Sequence, residues 1–177
     1  PVLRPTPLRA MGRFRHEAVA IDPATHAAYL TEDRDDSSVY RFLPDDPERP
    51  FEGELRAMRV RGRSGFATYR RLEVGDRLEI DWVPVGDPTP EDDTLRRSAQ
   101  AEGAAIVRRG EGIAYDPGGS RPGFVFTATS GGPRELGQIF RLEPDGDGGE
   151  LVLLAQSSGR ADLDMPDNVC VSPSGTV

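Results

Sequence analysis

The sequence predicts an all-β chain of β-propeller type, about two to three blades of a larger ring, with one short helical insertion. Three observations predict it. A short phrase recurs: Glu17-Ala18-Val19-Ala20-Ile21-Asp22-Pro23, then Glu111-Gly112-Ile113-Ala114-Tyr115-Asp116-Pro117, then Asp167-Asn168-Val169-Cys170-Val171-Ser172-Pro173. Each copy sets a carboxylate at the head of a short strand and a turn at its foot, and recurring strand units of this kind suggest radial repetition. Gly (20) and Pro (16) are frequent enough to favour turns over helices. Between the turns, apolar residues alternate as they do in strands.

The elements follow in order. Residues 1–13 are an extended lead-in. Strands are expected over 17–21, 27–31, 39–43 and 55–60, with turns at Asp22-Pro23 and at Leu43-Pro44-Asp45-Asp46-Pro47. Residues 1–60 thus make a first blade. Residues 61–110 break the rhythm and read as an insertion, with a strand over 78–83 and a helix near 91–105. Thr89-Pro90-Glu91-Asp92 would start that helix: a capping hydroxyl, proline at the first helical position, and acids in the first turn. A second blade spans 111–164, with strands over 113–115, 124–129, 138–142 and 151–156. A third begins at 165–177, with a strand from Val169. The chain opens on Pro1 and closes where a turn should lead onward, so it reads as a segment of a longer protein.

The formal net charge is −8, which argues against a nucleic-acid footprint. No apolar run approaches membrane length. The single cysteine, Cys170, rules out an internal disulfide framework and, between Val169 and Val171, is expected to be a small buried core residue.

Candidate chemistry lies in three clusters. Glu17, Glu111 and Asp167 share one register of the repeat. Carboxylates converging on a propeller axis are costly to bury unpaired, and a hard cation removes that cost by taking their oxygens as ligands. The run Thr31-Glu32-Asp33-Arg34-Asp35-Asp36-Ser37 is either a solvated loop or an oxygen-rich calcium loop, with Glu32 and Asp33 as candidate ligands. Arg109 stands two residues from Glu111, on the same side of an extended segment. It is either that residue's ion-pair partner or a phosphate clamp, since a guanidinium binds oxyanions bidentately. His16 and Glu17 point opposite ways, so His16 is expected to serve a structural role or to support a ligand from behind rather than to bind the same ion. No Walker loop, zinc spacing, dinucleotide fingerprint or serine-nucleophile arrangement occurs.

The runs Met11-Gly12-Arg13-Phe14-Arg15-His16-Glu17-Ala18-Val19, Tyr29-Leu30-Thr31-Glu32-Asp33-Arg34 and Arg109-Gly110-Glu111-Gly112-Ile113 resemble the PhoX-type bacterial alkaline phosphatases. So do Gly131-Gly132, Leu136-Gly137-Gln138-Ile139 and Asp164-Met165-Pro166-Asp167-Asn168. The resemblance runs across nearly the whole chain and is weakest over 61–80. It implies a six-bladed propeller with a calcium- and iron-dependent phosphomonoesterase site on its axis, and a periplasmic or secreted location. Glu17 and Glu111 would contribute to the metal cluster and Arg109 would help hold phosphate. The family's bridging cysteine, in a Thr-Cys-Glu-Glu-like motif, would lie upstream, so Cys170 is not that residue. Further acids would come from later blades, and the isolated 177 residues are expected to have little or no activity. Two other functions suit the same strand phrasing: a calcium-dependent lactonase or esterase propeller, and a non-catalytic, calcium-stabilised binding propeller.

Overall fold

The computed structural model describes residues 5–118, 121–172 and 174–177. The first four residues of the lead-in and Pro173, the foot of the third phrase, lie outside that set. Nine of the ten expected strands form, most of them longer than expected. The first unit is β1 (His16–Ile21), β2 (Ala28–Glu32), β3 (Val39–Pro44) and β4 (Gly53–Val60). The second is β6 (Gly110–Asp116), β7 (Gly123–Ala128), β8 (Gln138–Asp145) and β9 (Gly148–Gln156). Each is a meander of antiparallel neighbours. Between them lie β5 (Arg77–Pro84) and one helix, α1 (Leu95–Ala101).

The inserted segment joins the two units. Strand β5 pairs antiparallel with β4 on one side and with β9 on the other. It thereby covers two sheet edges that would otherwise expose unpaired backbone groups. The result is one nine-stranded sheet in the order β1-β2-β3-β4-β5-β9-β8-β7-β6. It bends until its terminal strands, β1 and β6, pack against each other.

Strand periodicity sorts the first unit's side chains between two cores. Tyr29, Val39, Met58 and Val60 face the second unit, where Phe124, Phe126, Phe140 and Leu153 meet them. Leu30, Tyr40, Phe42, Leu55 and Ala57 face the other way, under Leu95 and Ala99 of α1. Both faces of β2 and of most of β3 are therefore buried, and these strands lose the apolar–polar alternation of a half-solvated sheet, while β1 stays largely exposed.

The helix is much shorter than the 91–105 expected. At its start Thr89 donates its N–H and hydroxyl to Asp87, and the Thr94 N–H bonds the Asp92 carbonyl, so these residues form turns. At its end Gly103 adopts φ +97°, which only glycine adopts without strain. Ala104–Val107 then leave as an extended segment. Its amides bond the carbonyls of Met58, Phe66 and Ser37, and Ala104, Ala105 and Val107 are fully buried. Core burial overrides the helical preference of those alanines.

The third phrase differs from the expected strand. Residues 165–172 belong to no strand, because no neighbour supplies a ladder among the described residues, and Met165 turns at φ +51°. Cys170 is accordingly exposed, not a core residue. Among the described residues no helix is long and apolar enough to cross a membrane.

Candidate active site

The repeat carries a backbone device that the sequence alone does not show. In β1 the pairing register slips between His16 and Val19, across Glu17. In β6 it slips between Gly110 and Ile113, across Glu111. Both head glutamates thus sit in a β-bulge at one repeat position, and a bulge bends its strand and re-aims the side chain.

A threonine on the second strand of each unit reaches the head of the next, and Thr31 touches both bulges. The Thr31 hydroxyl accepts the Ala18 N–H at 3.1 Å and donates to the Glu111 carbonyl. The Thr127 hydroxyl donates to the Asp167 carbonyl at 3.2 Å. Each unit's threonine therefore holds the head residue of the next unit, and Asp167 occupies the third head position. Gly112 permits the second of these approaches. It donates its N–H to the Asp167 carbonyl at 2.9 Å, and a Cβ there would stand 2.7 Å from Asn168 Oδ1.

Thr31 is fully buried, so Thr31→Val should leave the Ala18 amide and the Glu111 carbonyl short of a partner. The expected loss is about 1–3 kcal/mol, read as a lower urea midpoint with unchanged slope. An unchanged midpoint would show that the hydroxyl does not join the units.

The arrangement brings Glu17, Asp33 and Glu111 together: one carboxylate oxygen from each lies within 4.8 Å of the others. Glu17 is exposed, Asp33 half-buried and Glu111 buried. Asp33 follows β2 and is held by its N–H, which donates to the Arg15 carbonyl at 3.0 Å. Arg109 lies across the cluster. Its Nε donates to Asp33 Oδ1 at 2.8 Å and its Nη2 to Glu111 Oε1 at 2.6 Å. Arg109 and Glu111 do share a side, as a period of two requires. Arg109 also adopts φ +50°, a conformation that costs a non-glycine residue roughly 1–3 kcal/mol and is concentrated at functional sites. Its amide bonds the Arg34 carbonyl and its carbonyl takes the Thr129 amide, so the strained backbone is held from both sides.

Electrostatically the cluster has a surplus of acid: three carboxylates face one guanidinium. Burial, and then the Asp33 charge, push the Glu111 carboxyl up to about 7, against the pull of Arg109. Asp167 and Glu17 push in the same direction. Asp167 is thus close enough to be felt, although its carboxylate is outside the group of three.

Glu32 goes elsewhere. It is the last residue of β2, so its side chain takes the face opposite Thr31 and Asp33. There it is fully buried; Oε2 accepts the Tyr40 hydroxyl at 2.9 Å and the Ser38 amide at 3.3 Å. Burial pushes its carboxyl up to about 7. His16 stacks on Phe14 with ring centroids 3.6 Å apart, and its Nε2 lies 2.9 Å from the Gly12 carbonyl. A groove of about 780 Å³ opens beside Glu17, lined by Leu8, Met11, Phe14 and Val19 among others.

Fold and site together define a propeller-type β protein with an acidic cluster, crossed by one arginine, at the bulged inner strands of adjacent units. Residues 1–177 match the family described as alkaline phosphatase PhoX, and the chain belongs to that family. Among solved structures it is similar to Pseudomonas fluorescens PhoX in complex with vanadate, a transition state analogue, at 18% identity and a TM-score of 0.64. The similarity covers 95% of this chain and 39% of the Pseudomonas protein. No curated protein sequence matches the chain.

Proposed function

We propose that this chain carries part of the active site of a metal-dependent phosphatase that hydrolyses phosphate monoesters. The observation that carries the reading is the Glu17–Asp33–Glu111 cluster crossed by Arg109. An all-oxygen set of hard donors suits calcium, and the raised Glu111 carboxyl reports a charge that a cation would relieve. Iron rests on the family resemblance, since Cys170 stands exposed and outside the cluster.

A cation held by these carboxylates neutralises phosphate charge as a Lewis acid. The chain's own groups do the positioning. Glu17, Asp33 and Glu111 would hold the cation. Arg109 Nη1 has no partner among the described residues and is the donor left for a phosphate oxygen. The groove beside Glu17 has room for the ester's organic group. Asp167 is a further candidate ligand, set by Thr127 and Gly112 at the third head position.

Complete turnover belongs to the full-length protein, and the isolated 177 residues are expected to bind cation but to hydrolyse little. Full-length protein should cleave a chromogenic phosphate monoester, lose that activity on chelation and regain it with calcium. Elemental analysis should find iron as well as calcium. Calcium alone, together with hydrolysis of lactones or carboxylic esters, would replace this reading with the lactonase one. Calcium-dependent thermal stability without hydrolysis would replace it with a binding propeller.

A further inference from the structure

We propose that Arg96, on the inserted helix α1, is a positioning residue that fixes Asp33 for cation binding. The inference rests on reading Glu17, Asp33 and Glu111 as a cation site.

Asp33 lies in a stretch dense in acid, with Glu32 before it and Asp35 and Asp36 after it. Left to itself such a stretch repels its own charges and spreads. Arg96 counters this from below, where its side chain is 5% exposed. Its Nε donates to Asp36 Oδ1 at 2.6 Å. Its Nη1 donates to the Asp93 carbonyl at 2.9 Å and lies 3.0 Å from Asp93 Oδ1. The same Nη1 lies 3.8 Å from Glu32 Oε1, a buried oxygen without a hydrogen-bond partner. One guanidinium therefore reaches acids on both sides of Asp33 in the chain.

Neighbouring contacts tighten the same loop. Gln100, one turn further along α1, donates its amide to the Asp36 carbonyl at 2.7 Å. Arg34 pairs with Asp93. The Ser37 and Ser38 hydroxyls bond the carbonyls of Val107 and Ala105, in the segment that leads to Arg109 and Glu111. The insertion thus supports the cluster from two directions, through the Asp33 loop and through the run into β6. A planar five-donor fork can serve acids in several directions at once, which a lysine ammonium cannot do over the same span.

The test is calcium affinity by titration calorimetry on this chain, alongside melting temperature in chelator. Arg96→Lys keeps a positive charge near Glu32 but loses the fork. The double variant Glu32→Gln with Arg96→Met removes both buried charges, so no unpaired ion is left to unfold the chain. Both should bind calcium roughly 10–100-fold more weakly, the range seen when an outer-shell partner of a metal ligand is lost. Each should keep a cooperative melt in chelator. If Arg96→Lys fails to fold, the double variant decides. Wild-type calcium affinity in a folded variant overturns this inference alone. Absence of calcium binding by the unsubstituted chain overturns the cation-site reading and this inference with it.

Discussion

Glu111→Gln should abolish calcium binding and at the same time make the calcium-free protein more stable at pH 8. The two effects have one cause. Glu111 is buried beside Asp33 with Glu17 and Asp167 nearby, and its carboxyl is pushed up to about 7 from an ordinary value of 4.5. Between those two values the folded state holds a proton that the unfolded state has released. By linkage, calcium-free stability falls as pH rises from about 4.5 to 7 and levels off above. Glutamine removes Glu111's share of that fall, while Glu32, also pushed up to about 7, retains its own. Melting curves in chelator should therefore lie closer together at pH 5 and 8 for the variant than for the native chain. The calcium side has the opposite sign. The ligand must be a carboxylate, so affinity in the native chain should drop up to tenfold per pH unit below about 7, with one proton released per ion bound. Glutamine leaves a weaker neutral donor, and the affinity loss should exceed the 10–100-fold seen for outer-shell partners. In the full-length protein, phosphatase activity should vanish with it. Calcium affinity of the native chain unchanged between pH 5 and 8 would remove Glu111 from the ligand set.

Much of this was legible in the sequence, for reasons particular residues make plain. The phrase headed by Glu17 and Glu111 marks equivalent strands, because equivalent backbone positions need the same alternation of small and β-branched residues. The pairing of Arg109 with Glu111 follows from a period of two. The same rule, carried through Thr31, Glu32 and Asp33, separates Glu32 from Asp33. A strand that runs to Glu32 sends the two carboxylates to opposite faces, one under α1 and one into the cluster. The bulges left no sequence trace, since register depends on what the partner strand offers. The helix is shorter than expected at its start because Asp87 and Asp92 draw the amides of Thr89 and Thr94 into turns, and at its end because propensity cannot foresee that Ala104, Ala105 and Val107 are needed as core. Cys170 was misplaced for the converse reason: an apolar alternating run makes a strand only where a neighbour supplies the ladder. Arg96 carried no signal at all. Its position 60 residues from Asp36 becomes a contact only when the insertion folds back.

Arg109→Gln should separate the two roles open to that residue, because they predict opposite signs for calcium. Arg109 bridges Asp33 and Glu111 at 2.8 and 2.6 Å, so it could act by holding the ligands in place. Calcium affinity would then fall on substitution. A guanidinium among cation ligands also repels the cation, however, and its removal strengthens the field of three carboxylates. If its main work is to grip the phosphate, Arg109→Gln should bind calcium at least as tightly as the native chain and lose the oxyanion. A charge-assisted hydrogen bond contributes about 1.5–3 kcal/mol, so phosphate or vanadate affinity should fall roughly 10–150-fold. In the full-length protein kcat/KM for a phosphate monoester should fall by at least as much. The backbone favours the second role. A residue held at φ +50° sits where glycine would be at ease. Holding arginine there costs stability that a simple surface ion pair, contributing about 0–1 kcal/mol, does not return. Calcium affinity that falls with Arg109→Gln while phosphate binding persists would make Arg109 a ligand-positioning group and leave the phosphate clamp to be found elsewhere in the full-length protein.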